Sequence, residues 1–139
     1  MKISGTLKKV SGKYLATLST KGDKHIVEMS AKESGAGTRA NGGELLCLAL
    51  ASCYCNDIYR EAAGRNIDVV SVEVEVHAEF GGVGESAKEI KYSPTVKAHA
   101  AKEEIELLVL ETDKFAEIHN TRRQGMAVGL SEPKAVSVD

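Results

Sequence analysis

Apolar and polar residues alternate along three short stretches at the start of the chain, and this pattern predicts antiparallel strands. Ser11-Gly12 separates the first stretch from the second, and Lys21-Gly22-Asp23 separates the second from the third. Both separators are typical of hairpin turns. The predicted strands are Ile3–Val10, Lys13–Thr20 and His25–Met29.

A long helix is predicted next, from Glu44 to Ala63. This stretch is rich in leucine, alanine and glutamate and contains no proline. Gly64 follows it and is of the residue type often found just beyond a helix end. The segment Leu45–Ala51 is apolar almost all round, so we expect this part of the helix to be buried.

Valine alternates strictly with charged residues after the long helix, which predicts a strand over Asp68–Phe80. Ile90–His99 is its predicted hairpin partner, since a glycine-rich turn lies between them. The inward face of the first strand is expected to carry Val70, Val72, Val74 and Val76.

The C-terminal part of the chain predicts a second helix over Lys102–Glu117 and a final strand over Met126–Leu130. The apolar side of this helix is expected to carry Ile105, Leu108, Leu110 and Phe115. The element order βββ-α-ββ-α-β predicts an α+β fold, and the length of 139 residues predicts a single domain over residues 1–139.

Composition narrows the classes of function. The formal net charge is −2 and no basic stripe is present, so we expect no nucleic-acid binding. The longest apolar run, Leu45–Ala51, is far shorter than the roughly 20 residues that span a bilayer, so we expect no membrane partner. The first residues lack the apolar region of a signal peptide, and a cytoplasmic location is therefore predicted.

The cysteines Cys47, Cys53 and Cys55 all fall on the predicted long helix. Cys47 and Cys55 lie about 240° and 200° round the helix from Cys53, so an intra-helix disulfide is not expected. Their spacing matches no zinc pattern, and neither a metal nor a cofactor is predicted. Each cysteine is by default a small core residue. Three of the four histidines, His25, His77 and His99, are expected to face solvent.

Cys53 differs from the other cysteines because polar residues share its face of the helix. Asp57 follows one turn later and Arg60 about two turns later. Burying such groups costs free energy unless they are paired, so we expect them to line a cleft or an interface. Arg60 would favour the Cys53 thiolate, whereas Asp57 would oppose it. The residues alone leave open whether Cys53 is reactive.

The string NGGELLCLALASCYCNDIYREAAGRNIDVVSVEVEVHAEF, residues 41–80, resembles the core of the OsmC/Ohr family. The string AEIHNTRRQGMAVGL, residues 116–130, resembles the closing segment of that family more weakly. The resemblance implies an intertwined homodimer with the long helices in the middle. It also implies reduction of organic hydroperoxides by a peroxidatic cysteine, at the position of Cys53, with thiols as the final reductant.

The sequence departs from the family pattern at three positions that support this chemistry. Ala116 stands where the family has its resolving cysteine, and Gly43 stands where it has a glutamate. No arginine precedes Arg39, which would replace the family's activating guanidinium only if its loop folded back. His119 is a candidate compensating group, although a helix-terminal histidine facing solvent is the simpler interpretation.

Three hypotheses follow for the function. The first is a one-cysteine peroxidase in which Cys53 is resolved by an external thiol, or by Cys55 or Cys47 of a second copy. The second is a non-catalytic OsmC-like protein that binds a small apolar molecule in the dimer cleft. The third is a stress-related protein with an inert core cysteine that acts through its interactions.

Overall fold

The structure is a computed structural model that describes residues 1–138. These residues form two compact units, the first comprising residues 1–47 and the second beginning at residue 48. The prediction of an α+β fold with antiparallel sheets is confirmed, whereas a single domain over the whole chain stays a prediction. The elements formed by the described residues are β1 (Ile3–Val10), β2 (Lys13–Thr20), β3 (Asp23–Met29), α1 (Gly42–Gly64), β4 (Asp68–Phe80), β5 (Ala87–His99), α2 (Lys102–Phe115) and α3 (Glu117–Gln124).

The N-terminal unit is built on a three-stranded antiparallel sheet in the order β1-β2-β3. Ser11 and Gly12 have φ angles of 49° and 80°, and Lys21 and Gly22 have φ angles of 52° and 92°. Positive φ at both central residues is the geometry of a type I′ turn, whose twist matches that of the flanking strands. These two turns therefore set the register of the sheet and confirm the predicted hairpins, although β3 begins at Asp23 and not at His25.

Helix α1 begins earlier than predicted because Asn41 caps it. The Glu44 backbone N–H donates to Asn41 Oδ1 at 2.9 Å, and the Asn41 N–H donates to Glu44 Oε2 at 2.7 Å. This reciprocal pair is a capping box. At the other end, the residue with left-handed backbone is Asn66, with φ of 55°, and Gly64 is still helical. The helix therefore ends at Gly64, as predicted, although the left-handed residue that follows is Asn66 and not a glycine.

The apolar first half of α1 is less buried than predicted. Within Leu45–Ala51 only Leu50 is buried, with 2% of its surface exposed. Leu45 is 38% exposed and Leu48 is 63% exposed. The prediction that this apolar segment is buried was therefore wrong for most of its residues in the structure.

Strands β4 and β5 form an antiparallel hairpin, and the bulge near the start of β4 changes the predicted face. The register shifts between Val69 and Ser71, so Val69 packs against the core while Val70 is 59% exposed. A bulge adds one residue to one strand and reverses the alternation at that point. The core of this unit is formed by Tyr54, Ile58, Ala62, Leu108 and Ala116.

The apolar face of α2 also differs from the prediction. Leu108 and Thr112 are fully buried, whereas Leu110 is 67% exposed and Phe115 is 53% exposed. Positions 108 and 112 are one turn apart and face the core together, while position 110 lies about 200° away from Leu108.

The predicted second helix is broken into α2 and α3 at Ala116, whose φ of −73° and ψ of 98° are extended. The Asn120 side-chain amide donates to the Lys114 carbonyl at 3.0 Å, and the Asn120 backbone N–H donates to the Ala116 carbonyl at 2.9 Å. The Asn120 side chain thus satisfies a carbonyl at the end of α2 while its backbone starts α3.

The predicted final strand, Met126–Leu130, is not formed, and residues 126–138 adopt no helix or strand. A strand needs a hydrogen-bonded neighbour, and within residues 1–138 this segment has none. Its apolar side chains are therefore exposed, Val128 by 98% and Leu130 by 91%. No helix among the described residues is long and apolar enough to cross a membrane.

Candidate functional site around Cys53

Cys53 lies on α1 with Asp57 beside it, and Arg60 contacts Asp57 from the other side, on the helix face that the sequence predicted. The Cys53 thiol donates a hydrogen bond to Asp57 Oδ2, with 3.4 Å between sulfur and oxygen. Cys53 is partly buried, and Asp57 is only 4% exposed. The helix positions them because residues four apart lie one above the other on the same face.

Arg60 holds the other side of the Asp57 carboxylate. Arg60 Nη1 lies 2.9 Å from Asp57 Oδ1 and 3.5 Å from Glu117 Oε1. Its Nε also lies 3.1 Å from Glu61 Oε1. The guanidinium is therefore surrounded by acidic groups, and it orients Asp57 instead of activating the sulfur directly.

Glu117 is a member of this cluster that the sequence did not single out. It is the first residue of α3, and Arg60 reaches it across a separation of 57 residues. The sequence predicted one continuous helix through Glu117, whereas the structure breaks that helix at Ala116. The position of Glu117 beside Arg60 depends on this break and could not be predicted from the local pattern. The carboxylate of Glu117 adds negative charge next to Cys53.

A backbone group at the start of α3 completes the surroundings of the sulfur. The Ile118 backbone N–H faces Cys53 and lowers the pKa of its thiol. Ile118 is the second residue of α3, and N–H groups at a helix N-terminus stabilise negative charge. Ala116, at the family's resolving position, lies two residues before Ile118 and is fully buried.

The ionisation of Cys53 follows from these contacts. Burial raises the pKa of the Cys53 thiol above its ordinary value, and the Asp57 and Glu117 carboxylates raise it further. The Ile118 backbone N–H lowers the pKa, but it does not offset the other effects. Burial also raises the pKa of Asp57, although the Cys53 hydrogen bond and Arg60 act in the opposite direction. The proton is thus held between a thiol that resists ionisation and a carboxylate that is more basic than usual.

The same residues do not form a cation site. The possible ligand atoms of Cys53, Asp57 and Glu117 lie within 4.8 Å of one another. However, Arg60 already contacts both carboxylates, and its positive charge opposes a metal ion at the same place.

His119 lies on α3, and it is buried rather than facing solvent. Its exposed fraction is 5%, and its ring packs edge-on against Tyr54 and Tyr92, with centroid distances of 5.8 Å and 4.6 Å. The interpretation of a solvent-facing histidine was therefore wrong, because the break at Ala116 starts a new helix and turns position 119 into the core. The other histidines, His25, His77 and His99, are exposed as predicted.

Arg39 belongs to the N-terminal unit, where it lies in the loop before α1. Its Nη1 is 4.0 Å from Glu33 Oε1, and both side chains are strongly exposed. Glu44, next to the family's glutamate position, is held by the capping box with Asn41. Cys47 and Cys55 are free and partly buried thiols, as is Cys53.

The comparisons with known proteins agree with this fold. The family model described as OsmC-like protein matches residues 35–131. An OsmC-like protein from Mycoplasma pneumoniae shares 18% sequence identity and a TM-score of 0.62, with 89% of this chain and 86% of that chain covered. A search of curated proteins gives no significant match.

Two further similar solved structures are named organic hydroperoxide resistance proteins. An organic hydroperoxide resistance protein from Elizabethkingia anophelis is 15% identical, with a TM-score of 0.62 and 90% of both chains covered. An organic hydroperoxide resistance protein OsmC from Legionella pneumophila is 16% identical, with a TM-score of 0.58, covering 88% of this chain and 90% of that chain. The structural likeness supports the fold, and the family match covers most of the chain. The protein therefore belongs to the OsmC-like family.

Proposed function

We propose that the protein reduces organic hydroperoxides with Cys53 as its single catalytic cysteine. The observation that carries this proposal is the hydrogen bond from the Cys53 thiol to the buried Asp57 carboxylate, made beside the Ile118 backbone N–H. The names of the hydroperoxide resistance proteins with the same fold point to the same substrate class.

Asp57 supplies acid–base catalysis in this proposal. As the Cys53 sulfur attacks the distal peroxide oxygen, the thiol proton passes to Asp57. The O–O bond breaks, the sulfur is oxidised to a sulfenic acid, and the proton goes from Asp57 to the leaving alkoxide, which departs as an alcohol. The Ile118 N–H stabilises the negative charge that develops on sulfur.

Reduction of the sulfenic acid requires an external thiol, because Ala116 replaces the family's second cysteine. The first thiol forms a mixed disulfide with Cys53 and releases water. A second thiol then attacks that disulfide, regenerates Cys53 and leaves as an oxidised thiol dimer. Cys55 or Cys47 of a second copy would replace the first external thiol only where the two chains bring those sulfurs together.

The test is the consumption of cumene hydroperoxide in the presence of dithiothreitol. Wild type should consume the peroxide well above the rate of dithiothreitol alone, and Cys53→Ser should fall to that background. Cys47→Ser and Cys55→Ser are matched controls on the same helix and should retain the activity. If Cys53→Ser is as active as wild type, the proposal fails.

A second candidate function is the binding of a small apolar molecule without catalysis. The raised pKa of Cys53, caused first by burial, favours this alternative because a protonated thiol is a poor nucleophile. A groove of about 580 Å³ lies between β5 and α2, and its lining is mainly apolar, with Lys102 and Glu106 as charged members beside Pro94, Val96, Ile105, Val109 and Leu110. An unreactive Cys53 together with saturable binding of an apolar dye would support this alternative.

We also propose that the functional form is a homodimer in the cytoplasm. The exposed apolar side chains of α1, including Leu48 and Tyr59, would be covered by a second copy. Three free cysteines are the state expected in a reducing compartment. Light scattering coupled to size exclusion should give twice the chain mass, and a monomer at micromolar concentration would contradict the proposal.

A further inference from the structure

The buried imidazole of His119 has no hydrogen-bond partner among the described residues. Both ring nitrogens are covered by protein atoms, and neither meets a donor or an acceptor. Burying an unpaired polar group costs free energy. The edge-on contacts with Tyr54 and Tyr92 offset this cost only weakly, because aromatic faces are poor acceptors. A buried imidazole without a hydrogen-bond partner indicates that a bound molecule supplies the missing hydrogen bond.

A small cavity lies next to this imidazole. Its volume is about 100 Å³, several times the roughly 15 Å³ that one water molecule occupies on the same measure. The cavity is therefore large enough for a molecule of a few heavy atoms. It is lined by Leu50, Ile90, Tyr92, His119, Arg122 and Arg123.

The charged groups around the cavity are cationic. Arg123 is bound to Asp113, with 2.6 Å between Nη2 and Oδ1. Arg122 makes no side-chain hydrogen bond or ion pair within residues 1–138, so its charge is uncompensated. No carboxylate is among the lining residues. The Arg122 guanidinium, unpaired within residues 1–138, therefore favours an anion, although the Asp113 and Asp57 carboxylates also act on His119.

The apolar lining residues favour an anion with a hydrocarbon part. Leu50 is 2% exposed, and Ile90 is partly buried. Burial and the nearby Arg123 lower the pKa of His119, so at neutral pH its ring carries one N–H donor and no charge. A turn of about 180° about the Cβ–Cγ bond exchanges ring nitrogens with ring carbons in the same volume. Neither nitrogen is accessible in the present orientation, so binding at the cavity requires the turned ring.

We propose that this cavity binds a short-chain monocarboxylate. Its carboxylate accepts hydrogen bonds from the His119 imidazole and the Arg122 guanidinium, and its alkyl chain packs on Leu50 and Ile90. Cys53 and Asp57 are not among the lining residues, although Asp57 influences the pKa of His119, and the proposal does not depend on peroxidase activity.

Sodium propionate titrated into the full-length ¹⁵N-labelled protein tests the proposal by NMR at constant ionic strength. The expected result is a saturable shift of the His119 ring nitrogens. Arg122→Gln should weaken the binding roughly tenfold or more, since it removes a charged hydrogen bond. Arg65→Gln, which removes an exposed arginine outside the cavity, should leave the binding unchanged.

Sodium formate and sodium chloride are titrated in the same way as control anions. Propionate should bind more tightly than formate, because only propionate has an alkyl chain to bury. If chloride, formate and propionate shift His119 equally, the site holds an adventitious ion only and the proposal is overturned. It is also overturned if no shift saturates, or if Arg65→Gln weakens binding as much as Arg122→Gln.

Discussion

The Cys53 thiol donates its hydrogen bond to Asp57, a carboxylate that is 96% buried and held from its other side by Arg60. This arrangement differs from a thiolate stabilised directly by a guanidinium. Arg60 forms ion pairs with Asp57, Glu61 and Glu117. These carboxylates neutralise its positive charge, so Arg60 does not directly stabilise a Cys53 thiolate. The chemistry of Cys53 therefore depends on the carboxylate beside it.

Asp57→Asn should have opposite effects on two reactions of Cys53. The substitution removes a negative charge, so the pKa of Cys53 should fall and alkylation by iodoacetamide at pH 7 should accelerate. Hydroperoxide reduction should slow by roughly 100-fold, because no acid protonates the leaving alkoxide. Stopped-flow peroxide consumption and mass-detected alkylation measure the two rates. If both rates rise together, Asp57 is only an inhibitory charge.

The pH dependence of Cys53 alkylation should show a raised pKa. Burial is the main cause, and Asp57 and Glu117 add to it, so the thiolate forms only above the pH at which a free cysteine ionises. The measurement uses a Cys47→Ser/Cys55→Ser background, in which Cys53 is the only thiol. A midpoint below that of free cysteine would contradict the geometry around the sulfur.

Ala116→Cys should restore a two-cysteine reaction. Ala116 lies two residues before Ile118, whose backbone N–H reaches the Cys53 sulfur. After one equivalent of cumene hydroperoxide, the variant should lose two thiols and form an internal disulfide, detectable by peptide mapping. The same substitution in a Cys53→Ser background is the control and should form none. Persistence of both thiols in the single variant would show that the two positions are too far apart.

Acid should destabilise the protein through His119. Its pKa is lowered in the folded state, first by burial and then by Arg123, so the unfolded chain binds the proton more readily. Because stability rises with pH wherever the unfolded state binds more protons, the free energy of unfolding should decrease as pH falls below about 6.5. Urea denaturation at pH 7.5 and pH 5 measures the change.

The matched variant for this experiment is His119→Gln, which cannot titrate in this range. Its loss of stability between the two pH values should be smaller than that of wild type. Asp57 acts with the opposite sign because its pKa is raised, and it is common to both proteins. Equal losses in both proteins would mean that His119 does not cause the acid sensitivity.

Leu108 and Leu110 on α2 provide a test of the core. Leu108 is fully buried, so Leu108→Ala should cost about 2–5 kcal/mol of unfolding free energy. Leu110 is 67% exposed, and Leu110→Ala should cost no more than about 0.5 kcal/mol. Thermal and urea denaturation of both variants compare the same substitution two residues apart. Similar costs would show that α2 presents a different face.

Local patterns predicted β1 to β5 and α1 well, because alternation and turn residues act over a few positions, but the final strand predicted over Met126–Leu130 is not formed. The alternation over Asp68–Phe80 gives a strand with the same bounds in the structure. The small turn residues Ser11-Gly12 set a hairpin register that is visible in the sequence. The shared face of Cys53, Asp57 and Arg60 also follows from helical spacing alone.

Features that depend on contacts between distant residues could not be predicted in this way. The bulge at Val70 has no distinct residue signature, and the break at Ala116 depends on the Asn120 side chain reaching the Lys114 carbonyl. The position of Glu117 beside Arg60 and the burial of His119 both follow from that break. The capping pair of Asn41 and Glu44, by contrast, had a sequence signal in their spacing of three residues.

Mass spectrometry of the intact protein treated with stoichiometric cumene hydroperoxide and dimedone tests the central claim most directly. Dimedone traps sulfenic acid, so the account predicts one adduct per chain, mapped to Cys53 and absent from Cys53→Ser. An unmodified Cys53 after complete exposure to the peroxide, in protein shown to be folded, would contradict the proposed reaction.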